Sequence, residues 1–146
     1  MGPSRIAGRG VFAKRKIPRG TRIIEYIGER LSPGHLLIEI NEGRRTSIYA
    51  MRLNETTVID GAQGGNESRF INHSCAPNCE AHMFDNNMYI YAMADIALGE
   101  ELTFDYQLSP ALNKTNDKDR KKEGLSCHCG AARCRVTMLS KKLKTA

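Results

Sequence analysis

Two stretches of this 146-residue chain gather side chains able to do chemistry. The first is Arg69-Phe70-Ile71-Asn72-His73-Ser74-Cys75-Ala76-Pro77-Asn78-Cys79, where two amides, an imidazole, a hydroxyl and two thiols fall within eight residues. Polar groups of this kind are rarely buried without partners, so the density points to a site. Asn, Ser and Pro are also ordinary turn residues, and a surface loop is the competing reading. The second stretch, Cys127-His128-Cys129-Gly130-Ala131-Ala132-Arg133-Cys134, spaces three thiols as C-x-C-x4-C. So short a segment cannot build a core, and zinc, which takes four tetrahedral N or S ligands, is the natural staple. The fourth ligand must come from elsewhere: Cys75 and Cys79 are the remaining cysteines, with His73, His82 and His128 as substitutes. An odd count of five cysteines, with no export signal read at the N-terminus, favours metal binding plus one spare thiol over a disulfide framework.

The elements that hold these stretches read as short strands punctuated by glycine and proline. Arg22 to Ile27 is β-branched and aromatic and ends at Gly28, and residues 47–53, 56–60 and 88–93 have the same character. Leu102 to Tyr106 alternates, which predicts Leu102, Phe104 and Tyr106 on one face and Thr103 and Asp105 on the other. Residues 35–42 predict one short helix, and Gly61 to Asn66 a flexible approach to the first stretch. Gly8-Arg9-Gly10 allows a tight turn and close approach to a ligand, but no third glycine completes a dinucleotide fingerprint. Many short strands and little helix imply a mainly β (α+β) domain.

Charge divides the chain. Residues 1–106 carry 12 Lys/Arg against 13 Asp/Glu, a balance of −1, and residues 107–146 carry 10 against 3, a balance of +7. A basic tail offers contact with nucleic acid or another polyanion, or serves only as a solvated end. No apolar run is long enough to span a membrane, so no membrane partner is expected.

The segments Gly8-Arg9-Gly10-Val11-Phe12, Glu25-Tyr26-Ile27-Gly28-Glu29, Arg69 to Cys79, Gly99-Glu100-Glu101-Leu102-Thr103-Phe104-Asp105-Tyr106 and the closing C-x-C-x4-C occur here in an order that resembles SET-domain protein lysine methyltransferases. The resemblance covers about residues 5–140 and is nearest the trithorax-like branch and its neighbours, which carry a post-SET zinc segment. It implies a SET domain over 5–107, a flexible polar linker over 108–124 and a post-SET zinc-binding segment over 125–140. It also implies the family's fold of small curved sheets with a pseudoknot-like crossing, although threaded chains are rare. Many relatives have a cysteine-rich segment ahead of the domain; none is expected here, and the long charged linker is a second departure from the family pattern.

By the same resemblance, S-adenosylmethionine would be held by Arg9, the backbone near Ala7, Tyr49, Arg69, Asn72, His73 and Tyr106, with His128 contributing from the tail. Tyr26, Phe104 and Tyr106 would line the channel for the substrate lysine. Cys75, Cys127, Cys129 and Cys134 match the zinc ligands and leave Cys79 over. The expected activity is S-adenosylmethionine-dependent methylation of a lysine, with S-adenosylhomocysteine as product, on a histone tail or another basic DNA-associated protein. The expected location is nucleus and chromosome for a eukaryotic chain, cytoplasm or nucleoid for a bacterial one.

Methyl transfer to an amine is an in-line displacement that needs the neutral amine, while free lysine has a pKa near 10.4. An apolar aromatic channel disfavours the ammonium, and a nearby sulfonium pushes the same way, so no strong base is required. Tyr106 is read as orienting the amine, His73 as structural and cofactor-contacting rather than as a base. Phe104, where relatives with Tyr hold an extra water and limit methylation, predicts di- or trimethyl product. The alternative is a non-catalytic basic zinc-containing module that binds nucleic acid or protein. A plain zinc ribbon would leave the first 106 residues without a role.

Overall fold

The computed structural model describes residues 1–46 and 48–106. The expectations for the linker, the C-x-C-x4-C segment and His128 lie outside those residues. The described chain is mostly strand with one short helix.

Its central sheet has the order β3-β9-β8, all antiparallel: β3 is Arg22–Tyr26, β8 Cys79–Phe84 and β9 Asn87–Ala92. Along β9, Met88, Ile90 and Ala92 face the core and alternate with half-buried Asn87, Tyr89 and Tyr91. Asp85 and Asn86, at φ 49° and 62°, make the left-handed two-residue turn that matches hairpin twist. A second sheet, β4-β6-β5, joins Glu29–Leu31, Val58–Asp60 and Ala50–Arg52, with all three residues of β6 buried. Near the N-terminus β1 (Gly2–Pro3) pairs with β2 (Arg9–Gly10). Two very short strands, β7 (Asn72–His73) and β10 (Thr103–Phe104), run parallel and put the first polar stretch beside the F-D-Y segment. Ile71, Ile90, Ile96, Leu102 and Phe104 form the larger core cluster. Full burial of each is worth about 1.5–3 kcal/mol, so the cluster fixes both short strands from below.

Helix α1 spans Pro33–Asn41, two residues ahead of the predicted start. Ser32 caps it, its Oγ accepting the His35 N–H at 3.0 Å, and Pro33 occupies the first turn, where its missing N–H costs nothing. Strand β8 has no counterpart in the sequence reading. The predicted alternation over 102–106 shortens to two paired residues, and Leu102, Thr103 and Phe104 are all buried because both sides are covered.

Gly61 to Asn66, expected to be flexible, is tied down instead. The Gly61 N–H donates to Tyr49 O at 2.9 Å, the Glu29 N–H to Gln63 O at 2.8 Å, and Asn66 Nδ2 to Glu25 O at 3.1 Å. A Cβ on Gly65 would stand 2.1 Å from Gly61 O, so the turn closes only around glycine.

Cys79 is buried at 1% exposure, and desolvation pushes its thiol up from 9.0 to about 11. A thiol raised in the folded state contributes stability below pH 9 that is lost as pH climbs through 11. In native protein at pH 8, peptide mapping should find Cys79 unalkylated by iodoacetamide, and fully modified only after denaturation.

Candidate active site

Asn72 and His73 sit side by side on β7 and turn to different tasks. Asn72 Nδ2 lies 2.9 Å from Arg9 O, 3.0 Å from Glu101 Oε1, 3.1 Å from Ser4 Oγ and 3.2 Å from Ala7 O. Two hydrogens shared among four acceptors make this amide the knot that fastens the Ser4–Arg9 loop to the strand. His73 is 2% exposed, and its Nδ1 accepts the backbone N–H of Tyr106 at 3.0 Å. Its Nε2 lies 3.5 Å from Cys75 Sγ, and its ring meets that of Tyr106 edge-on at 5.3 Å. The imidazole therefore sets where Tyr106 stands.

Tyr106 and Tyr26 each commit a hydroxyl proton to a main-chain carbonyl: Tyr106 to Ile71 O at 2.5 Å, Tyr26 to Tyr49 O at 2.6 Å. Burial is the main force raising both phenols well above their ordinary value. The neighbouring phenols add to it, Tyr106 and Tyr49 acting on Tyr26, and Tyr49 on Tyr106. The three phenols thus border one region, in which Tyr26 and Tyr106 remain protonated. Phe104, 6% exposed, closes one side with its ring centroid 4.9 Å from that of Tyr106.

Next to this space lies a cationic and aromatic group. The Arg69 guanidinium is 4.6 Å from the Phe70 ring and 5.9 Å from the Tyr49 ring, while Arg9 is 5.7 Å from Phe70. Arg69 Nη1 donates to Gly61 O at 3.3 Å. Its Nε is buried with no hydrogen-bond partner, the one such side-chain atom among the described residues. A buried donor without a partner is a group that a ligand acceptor would satisfy.

The fold therefore brings Ala7, Arg9, Tyr26, Tyr49, Arg69, Asn72, His73, Phe104 and Tyr106 into one region. Cys75 is half-buried at its margin, and it is the only residue of the expected zinc set among those described. Sequence reasoning assigned nothing to Asn78, whose side chain pins the start of β10: Oδ1 accepts the Thr103 N–H at 2.9 Å and Nδ2 donates to Glu101 O at 2.8 Å. Ser4 and Glu101, the partners of Asn72, also went unassigned. An amide three residues beyond Cys75 was the available signal for Asn78.

The description "SET domain" matches residues 8–107. This chain belongs to the SET domain family. Its sheets and its paired β7 and β10 are that family's fold, matched in solved structures. An apo ctPRC2 with mutations in Ezh2 superposes with a TM-score of 0.69 at 32% identity, over 77% of this chain and 15% of that one. A humanized mutant of the Chaetomium thermophilum Polycomb Repressive Complex 2, bound to an inhibitor, gives 0.62 at 32% identity, over 72% and 14%. In sequence, the Schizosaccharomyces pombe histone-lysine N-methyltransferase described as H3 lysine-4 specific is 39% identical over 143 residues, 92% of this chain and 14% of its own. Human histone-lysine N-methyltransferase 2D is 39% identical over 141 residues, 92% of this chain and 2% of its own. Drosophila melanogaster histone-lysine N-methyltransferase trr is 37% identical over 141 residues, 92% and 6%. The SET domain chain thus spans a small part of each relative, the trithorax-like group among them.

SET methyltransferases use S-adenosylmethionine, and the residues here fit it. The unpartnered Arg69 Nε and the Arg9 guanidinium, which shares the Phe70 ring with Arg69, suit a carboxylate, and the half-buried rings of Phe70 and Tyr49 suit a flat heterocycle.

Proposed function

We propose that this chain is an S-adenosylmethionine-dependent protein-lysine N-methyltransferase domain whose substrate is a histone lysine. The observation that carries the reading is the pair of tyrosine hydroxyls whose protons are already given to Ile71 O and Tyr49 O. With its proton engaged, each phenol oxygen offers only lone pairs to an incoming group. It can accept the N–H of a neutral amine and leave the nitrogen lone pair free to attack. Neither phenol can act as a base, because a raised pKa means a held proton. Deprotonation of the lysine instead falls to desolvation within the walls made by Tyr26, Phe104 and Tyr106. S-adenosylmethionine supplies an electrophilic methyl group when bound. Arg69, Arg9 and the loop held by Asn72 would seat it, and alignment supplies much of the remaining acceleration. Tritiated S-adenosylmethionine with nucleosomes and free histones, followed by mass spectrometry, tests the reading. Label on a lysine supports it, and no transfer to any protein refutes it.

Phe104 has no hydroxyl to anchor a water among these rings, which leaves space for added methyl groups. Di- or trimethyl-lysine is the expected product, and Phe104→Tyr should shift accumulation toward the monomethyl form. Intact protein that stops at one methyl overturns this.

The zinc reading assigns Cys75, Cys127, Cys129 and Cys134 to one ion, supported by the spacing of the three tail cysteines and the half-buried Cys75. The post-SET segment, with His128, would then finish one wall of the channel. Cys129→Ser or a chelator should abolish most activity while the melting of the body shifts little. Equal loss of both would make the metal a general staple. The names of the relatives argue for a nuclear, chromatin-associated protein and those of the solved structures for further protein partners.

A further inference from the structure

Asp60 is the last residue of β6 and its side chain is 1% exposed. Its Oδ1 accepts the N–H of Ala62 at 3.0 Å, and its Oδ2 accepts Nη1 of Arg45 at 2.9 Å. The second arm of that guanidinium, Nη2, meets both carboxylate oxygens of Glu29 at 3.0 Å. Arg45 lies on the connection between α1 and β5, a few residues ahead of Tyr49. The Tyr49 carbonyl takes two protons, from the Tyr26 hydroxyl at 2.6 Å and from the Gly61 N–H at 2.9 Å. One buried carboxylate therefore controls both sides of that carbonyl: the stretch arriving at Tyr49 through Arg45, and the Gly61–Ala62 turn directly.

Burying an ion pair contributes little net stability, because desolvation offsets the attraction. What the forked guanidinium contributes is geometry, since its two arms fix three oxygens on two strands at once. From this we propose that Arg45 is a positioning residue for methyl transfer. Its strap to Asp60 and Glu29 holds the Tyr49 carbonyl where it can orient the Tyr26 hydroxyl. This inference rests on the methyltransferase reading for its kinetic consequence, though not for its structural one.

The test separates positioning from stapling. Arg45→Met alone strands a buried carboxylate and will destabilise the fold. Combined with Asp60→Asn, it removes the stranded charge, and the new amide oxygen still accepts from the Ala62 N–H. The double variant should recover thermal stability close to the parent's, yet lose at least about tenfold in kcat, as a small misplacement of an aligning group does. Without any cofactor present, hydrogen exchange should show about tenfold lost protection at the Gly61 amide with Ile90 unchanged. Glu29→Gln, at a half-exposed site, should give a smaller loss of the same kind with no change in melting. Recovery of kcat together with stability, or parent-like protection at Gly61, overturns the proposal. A parent protein that transfers no methyl at all instead overturns the activity, and the exchange result then still decides the strap.

Discussion

Tyr106→Phe should lower turnover by about 100-fold, the scale seen when one aligned polar group is taken from a reacting centre. The backbone of Tyr106 is held by His73 Nδ1 and its ring by Phe104 and the imidazole, and neither contact needs the hydroxyl. The substituted ring therefore stays in place, and the loss falls on the hydroxyl alone. What disappears is the oxygen that Ile71 O fixes in orientation, and with it an acceptor for the amine N–H. Stability changes in two opposing ways, since Ile71 O loses its donor while the burial of a phenol ends. The net shift should be within about 1–2 kcal/mol. Steady-state kinetics at saturating peptide and cofactor, with a melting curve on the same sample, separates the two effects. Full activity in the variant removes Tyr106 from the mechanism.

Asn72→Ala should be the most damaging single change to the fold around the site. It leaves Arg9 O, Ala7 O, Ser4 Oγ and a carboxylate oxygen of Glu101 without their shared donor. Unsatisfied buried acceptors cost about 1–3 kcal/mol each, and exposure of the loop to water relieves part of that. A net loss of about 2–3 kcal/mol lowers the melting temperature by roughly 6–12 °C in a domain of this size. Asn72→Asp is the sharper test, because it keeps the volume, removes the donor and sets a second carboxylate against Glu101. It should destabilise at least as much as alanine and weaken S-adenosylhomocysteine binding by calorimetry. An aspartate variant as stable as the parent would show that the four contacts carry little.

Local composition was enough for β3, β9 and the one helix, because each is a run of apolar and β-branched or aromatic residues bounded by turn signals. It was not enough for β7 and β10. Two residues contain no period, and their partnership joins parts of the chain far apart in sequence; the family resemblance, not the alternation of Leu102 to Tyr106, brought them together. Gly61 to Asn66 failed for a different reason. Glycine permits mobility and tight closure alike, and the contact that decides, Gly65 against Gly61 O, exists only in the folded chain. The family resemblance pointed to the tyrosines, Arg69 and Asn72 as candidate site residues, but not to their partners. Nothing in the sequence says that Ser4 and Glu101 converge on one amide, or that Arg45 reaches Asp60 and Glu29.

The knot at Asn72 also sets an order of events. The Ser4–Arg9 loop precedes β7 in the chain, so it is synthesised before the amide that captures it. β7, which carries that amide, has no strand beside it until Thr103 and Phe104 arrive. Contacts this distant in sequence close slowly, after the local hairpins have formed. The Ser4–Arg9 side of the candidate site therefore cannot be fastened until the F-D-Y segment is present, so the two halves of the site are joined among the last contacts the described domain makes.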